Sequence, residues 1–337
     1  MSSVLDRKRR LRVIYLTGLA AALWLLVFAT GWIAPSSSAS HARIGEPVLP
    51  EFAQTRRAAQ KIRFSMADNA YTISRREAGW VMEESGFYPI RPDRLSELAT
   101  GLETLTFDEK RTSDPYKHDG IGLGDPAEGG NGVLIEVFDA DETLTASLVA
   151  GRKNETIYVR EPGETQAYRT QGTLPPFYNR RAWLDFDIID IDPSAIRSVR
   201  LTDRFGQSLY LRRPPGSDTR SFRPAPPHEA DVLISRLAAS TTALAVTRLT
   251  ALDVKPMSDL TSQPVANHIS ETFDGLELNL RAYREPDGVW VTLRAIEAGE
   301  GARRAAAING KAEGWAFRLS EYDFQDFTPL VSSLVER

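Results

Sequence analysis

The sequence predicts an α+β protein in which an N-terminal transmembrane helix is followed by two related units of antiparallel sheet with packed amphipathic helices. Three observations predict this architecture: a long uncharged segment behind a basic N-terminus, alternating apolar residues typical of strands, and the same order of elements in both halves of the chain. At roughly 150 residues per domain, a chain of 337 residues has room for two units.

Composition excludes several classes of protein. With 42% hydrophobic and 26% charged residues, the chain is globular and neither disordered nor fibrous. It has no cysteine, which excludes disulfides, thiolate metal sites, a cysteine nucleophile and a lipidated N-terminal cysteine. The net charge of −4 combines +4 in residues 1–12 with −8 in residues 13–337. Because the acidic part has no contiguous basic face, we expect no binding of nucleic acid.

Residues 13–34 form a stretch of 22 residues without a charge. As a helix this stretch spans about 33 Å, enough to cross a hydrocarbon core of about 30 Å. The basic tail, residues 1–12, precedes it, which predicts a cytoplasmic N-terminus and a globular part on the opposite side of the membrane. A cleaved signal peptide is the alternative, because small residues follow the stretch. The apolar region of a signal peptide is usually shorter, about 7 to 15 residues, so we favour the anchor.

The first unit is predicted to cover residues 60–192, after a linker or stalk at residues 35–59. Alternating apolar residues from Ile62 to Met82 predict a small antiparallel meander. Pro92, followed by leucines at spacings of three and four, predicts an amphipathic helix that packs on the meander. Further strands are predicted at residues 133–137, 144–150, 157–160 and 167–170.

The second unit, residues 193–337, is predicted to repeat this order. A strand pair between residues 199 and 211 is predicted to lead to a helix that begins near residue 228. That helix is expected to carry four apolar residues, Leu233, Ile234, Leu237 and Leu244. Strands follow at residues 276–280, 290–295 and 315–319. We match the strand at Leu276 to the one at Val133, 143 residues earlier, and interpret residues 301–312 as an inserted short helix. A last amphipathic helix is predicted from Thr328 to the C-terminus.

The densest acidic cluster comprises Asp185, Asp187, Asp190 and Asp192. Oxygen ligands at such short spacing are compatible with calcium, but the segment lacks the glycine turn and the bidentate glutamate of a loop site. The aspartates alternate with apolar residues, so we interpret the segment as an edge strand with a wet face. We predict no metal site and no cofactor.

Three further groups of residues are compared with known signatures. The glycines Gly120, Gly122, Gly124, Gly129, Gly130 and Gly132 are interpreted as a loop, because no Gly-Lys-Ser/Thr follows and the next element is a strand. We expect the four histidines, His41, His118, His228 and His268, to lie at the surface. A Ser, His and Asp triad assembled in three dimensions stays open, although no Gly-x-Ser-x-Gly elbow occurs. We expect four tryptophans to lie in the core or, alternatively, to anchor a partner: Trp80, Trp183, Trp290 and Trp315.

Several segments together resemble a bacterial family of membrane-anchored proteins, the domain of unknown function 4340. They include RTSDPYKHDGIGLGDPAE at residues 111–128, RRAWLDFDIIDID at residues 180–192 and the ending WAFRLSEYDFQDFTPLVSSLVER. These are patterns of strands and turns without a catalytic signature. Members of this family are found beside components of a gliding-motility-type ABC transport system. The resemblance implies an accessory or partner-binding role at the membrane, and it supplies no functional residues.

The sequence therefore predicts a single-pass protein of the bacterial inner membrane with its bulk in the periplasm. Its expected function is that of a non-enzymatic scaffold or accessory subunit whose partners are envelope proteins, components of an ABC-type assembly by resemblance. We predict no catalytic residues. The alternative is a ligand-binding module that uses a cleft between the two units.

Overall fold

Two antiparallel sheets organise the structure, a computed structural model that describes residues 44–77, 79–297 and 302–336. The predicted tail, residues 1–12, the predicted transmembrane segment, residues 13–34, and the first part of the linker lie outside these residues. Within the described ranges, no helix is long and apolar enough to cross a membrane. The described residues from Pro47 onward form one unit. The boundaries predicted at residues 60–192 and 193–337 stay a prediction.

The first sheet has nine strands in the order β4-β3-β2-β1-β6-β7-β8-β9-β5. Its strands are β1 (Lys61–Ser65), β2 (Ala70–Arg76), β3 (Gly79–Met82), β4 (Tyr88–Pro89), β5 (Thr106–Lys110), β6 (Val133–Phe138), β7 (Leu144–Lys153), β8 (Thr156–Arg160) and β9 (Tyr168–Gln171). One helical turn, α1 (Phe52–Thr55), precedes the sheet, and helix α2 (Pro92–Thr104) follows β4. The predicted meander, helix and following strands are thus present.

The second sheet has eight strands in the order β12-β11-β10-β15-β16-β17-β18-β14, and β13 pairs with β19 beside it. The strands of this half are β10 (Ile196–Thr202), β11 (Ser208–Arg212), β12 (Arg223–Pro224), β13 (Val232–Leu233), β14 (Asp253–Pro256), β15 (Ala266–Thr272), β16 (Leu276–Glu285), β17 (Gly288–Glu297), β18 (Trp315–Leu319) and β19 (Val335–Glu336). Its helices are α3 (Arg236–Ala243), α4 (Ala302–Ala312) and α5 (Glu321–Phe327). Helix α4 coincides with the predicted insertion.

The two sheets share one order of strands. In each, a hairpin is followed by a helix and an edge strand, and a four-stranded meander then joins the first hairpin strand to that edge. In this shared order, the strand of the second sheet that corresponds to β6 is β15, which begins at Ala266. The predicted correspondence between the strands at Val133 and Leu276 is therefore wrong by one strand. The sequence pattern does not predict β15, because the buried face of this strand carries small and polar residues, including His268, Ser270 and Thr272, instead of an apolar alternation.

Three predicted elements are wrong in position or type. Helix α3 begins at Arg236, not near residue 228, because the Ser235 hydroxyl accepts from the Ala238 N–H at 3.2 Å and caps it there. The last helix is α5, which is capped by Ser320 and ends at Phe327. It therefore lies before the stretch from Thr328 to the C-terminus in which the last helix is predicted. Residues 185–192 form no strand. Their apolar side chains pack on the core, whereas the backbone does not join a sheet.

Both faces of the first sheet carry packed elements, whereas one face of the second sheet is only partly covered. The inner face of the first sheet is the one beneath helix α2, and the inner face of the second sheet is the one beneath α3 and α5; the outer faces are the opposite ones. On the outer face of the first sheet lies the segment at residues 111–132, where Leu123 packs with Val149 and Tyr158. On the second sheet, α3 and α5 lie on the inner face. Leu260, from the segment after β14, packs on Trp290 at the outer face. The packing of these segments on the outer faces explains why some strands carry buried side chains on both sides.

Candidate functional site

The predicted acidic cluster does not act as one site. Asp185 pairs with Lys311 of α4 at 2.9 Å, and Asp192 accepts from the Ser194 N–H at 2.6 Å, which starts a 3-10 turn. Hydrogen bonds from Ser194 hold the pKa of the Asp192 carboxyl below its ordinary value. Asp187 and Asp190 are exposed. Among the described residues, no group of three or more histidine or acidic side chains is placed to hold a metal ion.

The predicted glycine loop packs tightly against itself. A Cβ on Gly130 would lie 2.3 Å from the carbonyl carbon of Gly124, and one on Gly151 of β7 would lie 2.1 Å from the carbonyl oxygen of Gly122. Asn131 fastens the loop by donating to the carbonyl of Asp119 at 2.8 Å. Close backbone packing therefore requires glycine at positions such as 130 and 151, whereas Gly120 and Gly129 have open space where a Cβ would lie. The segment consists of short turns, in agreement with its interpretation as a loop.

Two of the predicted surface histidines are buried. His118 contacts the carbonyl of Thr165 at 2.9 Å, and His268 is 1% exposed. The His268 ring lies between the carbonyl of Thr242, 3.0 Å from Nε2, and the hydroxyl of Ser270, 3.3 Å from Nδ1. Burial lowers the pKa of His268 to about 4, so the ring is neutral at pH 7. His228 is half-buried, and His41 lies outside the described residues.

The four tryptophans divide into two groups. Trp183 and Trp290 are buried, as expected for core residues. Trp80 and Trp315 are half-buried. Trp315 lies at the junction of the two sheets, where its ring is 5.0 Å from that of Tyr88 in β4. Trp80 lines a cavity, which makes it the tryptophan best placed to meet a ligand.

That cavity, the α2 pocket, lies between helix α2, the first sheet and α1. It has a volume of about 340 Å³, at the small end of the range of about 300 to 1,000 Å³ found for ligand sites. Its apolar lining consists of Phe52, Ala59, Ile62, Trp80, Leu95, Leu98, Ala99, Leu102 and Val137. The interior is thus formed by hydrocarbon and one indole.

Among the described residues, arginines are the only charged residues that line the α2 pocket: Arg56, Arg57 and Arg75. Arg56 pairs with Glu103 of α2. Arg57 and Arg75 are exposed, and within the described ranges neither guanidinium has a hydrogen-bond or ion-pair partner. The rim is therefore positively charged over an apolar interior. The sequence does not predict this pocket, although the spacing of two residues between the buried Ile73 and Arg75 indicates that both lie on one face of β2.

A second unpredicted feature is an exposed apolar strip at Val232, Ile234 and Leu237. These residues are 63%, 53% and 64% exposed. The sequence pattern assigns Ile234 and Leu237 to one helix, but Ile234 lies before helix α3, which begins at Arg236. The strip is held in place because the Ile234 N–H donates to the carbonyl of Leu334 at 2.9 Å. Clustered exposed apolar residues are typical of surfaces that bind a partner.

Comparison with known proteins gives one match. A family model described as Domain of unknown function (DUF4340) matches residues 80–266, which is more than half of the 337 residues. No curated protein matches the chain, and no solved structure matches it.

Proposed function

Since the chain belongs to the family described as Domain of unknown function (DUF4340), we propose that it is a non-enzymatic accessory protein of the bacterial envelope that presents a rigid surface to membrane partners. The observation that carries this proposal is the exposed apolar strip at Val232, Ile234 and Leu237. The family resemblance directs the choice of partner to the subunits of an ABC-type, gliding-motility-like transport assembly.

The proposed anchor is the segment at residues 13–34. Its support is the uncharged length of 22 residues and the basic tail at residues 1–12, which favours a cytoplasmic N-terminus. The globular part would then lie in the periplasm, joined to the membrane by residues 35–59. A tether of this kind restricts the strip to partners at the same membrane.

The proposed duplication relates residues 60–192 to residues 193–337. The shared strand order of the two sheets supports it, including the edge strands β5 and β14 that follow the helix in each half. Duplication gives an accessory protein two similar units, so that one unit can remain structural while the other acquires a binding surface.

The strip suits a protein partner because it is apolar and exposed, and because its backbone is fixed by the hydrogen bond from Ile234 to Leu334. Interface centres are enriched in large apolar side chains that become fully desolvated, and a few such residues supply most of the binding energy. Leu237 projects from the first turn of α3, and Val232 belongs to β13, so the strip combines a helix and a strand.

Site-specific photo-crosslinking tests this proposal. A photoreactive phenylalanine analogue is placed at Leu237 of the full-length protein in its own membranes, with Thr100, an exposed residue of α2, as the matched control position. We expect adducts with transport subunits from position 237 and not from position 100. Identical adducts from both positions, or none from position 237, would contradict the proposal.

The alternative of a ligand cleft between the two units stays a prediction. At the junction that the structure describes, the ring of Tyr88 packs against those of Trp315 and Phe317, at 5.0 and 6.0 Å, and Arg180 pairs with Asp253 at 2.6 Å. This part of the junction is filled by side chains, so a ligand there would need space elsewhere along it.

A further inference from the structure

The arginine at the rim of the α2 pocket, Arg75, has an equivalent in the second half, Arg213. The two arginines differ in the groups that surround their side chains. Counted from the hairpin turn, Arg75 in β2 corresponds to Arg213 after β11, because each lies five residues beyond the first residue of its strand. The Arg75 N–H donates to the carbonyl of Gln60 at 2.8 Å, and the Arg213 N–H donates to that of Arg197 at 2.9 Å. The two corners, by which we mean the ends of the strand pairs β1–β2 and β10–β11 at these arginines, therefore share this backbone hydrogen bond.

In the second half this corner is closed by the chain itself. Arg213 is 2% exposed and donates to the carbonyls of Pro193, Thr219 and Ser194. Its guanidinium also lies 5.5 Å from the ring of Phe222 and 5.4 Å from that of Phe273. Carbonyl oxygens thus serve as the electron-rich partners of the cation, and two rings fill the space around it.

In the first half the same corner is open. Arg75 pairs in register with Trp80 of β3, as Arg213 faces Phe222, but no carbonyl accepts from its guanidinium within the described ranges. Arg57 is likewise without a partner. Two guanidinium groups above a hydrocarbon pocket match a ligand that carries one anionic group on one apolar chain, since arginine forms paired hydrogen bonds to carboxylate.

We propose that the α2 pocket binds a free long-chain carboxylate, with the alkyl chain beneath helix α2 and the carboxylate between Arg57 and Arg75. The volume of about 340 Å³ suits one chain and not the two chains of a membrane phospholipid. A sugar or peptide would need polar partners inside the pocket, and among the described side chains of its interior only Trp80 offers one, its indole N–H.

The test uses the full-length protein in nanodiscs of phosphatidylcholine. A twelve-carbon carboxylate with a diazirine near its methyl end is added and the sample is illuminated. The adducts are then mapped by peptide mass spectrometry. In the proposed arrangement residues 13–34 lie in the bilayer, so their labelling reports how much probe enters it and normalises each sample. We expect adducts at Leu95, Leu98 or Leu102, competed by dodecanoate and not by dodecanol.

Matched variants locate the two parts of the ligand. Ala99→Phe fills the pocket, whereas Thr100→Phe adds the same ring at an exposed neighbouring position. Arg75→Gln removes a rim charge, and Arg76→Gln removes the neighbouring guanidinium, which stacks on Phe87 at 4.7 Å. We expect Ala99→Phe to abolish the pocket adducts and Arg75→Gln to weaken competition by dodecanoate about tenfold. Both control variants should leave competition unchanged.

Chain length gives a second readout. Each added CH₂ should strengthen competition about fourfold until the pocket is full, after which the affinity should level off. Adducts spread over the surface and unchanged in Ala99→Phe would overturn the proposal, as would equal competition by dodecanol or competition by phospholipid alone. The unfolding temperature of each variant is measured as well. The charge variants lie at exposed positions, so they keep the proposal testable if Ala99→Phe fails to fold.

Discussion

The inner faces of the two sheets are built differently although their strands follow the same order. Where the first half has Ile135 and Val137 on β6, the second has His268 and Ser270 on β15, opposite the equivalent residues of β1 and β10. The first half thus packs hydrocarbon beneath a helix of 13 residues, and the second places polar side chains beneath one of 8 residues. One strand order accommodates two kinds of core, because hydrogen bonds to backbone carbonyls can replace apolar packing where every polar group finds a partner.

The largest expected loss of stability comes from substituting Arg213, the arginine of the closed corner. Arg213→Gln leaves three carbonyls without their donor and removes the contact with two rings, so we expect unfolding in urea to show a loss of about 4 kcal/mol. Arg75→Gln, at the open corner, should change stability by less than about 0.5 kcal/mol. Equal effects of the two substitutions would show that the corners do not differ.

Acid should weaken the second half selectively. The pKa of His268 is lowered to about 4 in the folded protein from 6.5, so the unfolded chain binds the extra proton between these values. The stabilisation is complete above pH 6.5 and is lost as the pH falls toward 4, by about 3 kcal/mol. Hydrogen exchange at pH 7 and pH 4.5 should show lost protection in β15 beyond any loss in β6. His268→Gln should remove most of this difference, and an unchanged difference would contradict the assignment.

A smaller effect is expected from the glycine on which helix α2 depends. A Cβ at Gly101 would lie 2.4 Å from the carbonyl oxygen of Thr173, so Gly101→Ala should cost about 2 kcal/mol despite the better helix propensity of alanine. The control is Gly310→Ala in α4, where nothing lies within 4 Å of the added atom. That substitution should stabilise the protein by up to about 1 kcal/mol. Thermal unfolding of both variants checks the pair, and a stabilising Gly101→Ala would show that α2 does not lie so close to residue 173.

Sequence patterns were sufficient for the elements that carry an apolar alternation or a proline start, such as β1, β6, β16 and α2. They failed where burial is achieved by hydrogen bonds, as in β15, because a buried histidine and serine resemble surface residues in one sequence. They do not reveal that Ile234 and Leu237 are exposed, because periodicity cannot show whether another element covers an apolar face. The α2 pocket was beyond prediction for the same reason. It depends on how closely α1, α2 and the sheet approach one another.

The central claim is that equivalent corners are open in the first half and closed in the second. Modification of the full-length protein with phenylglyoxal, followed by peptide mass spectrometry, tests it most directly. We predict that Arg75 reacts in the folded protein and is protected by dodecanoate, and that Arg213 reacts only after unfolding. Equal reaction of both arginines, or reaction of Arg75 that dodecanoate does not slow, would contradict the account.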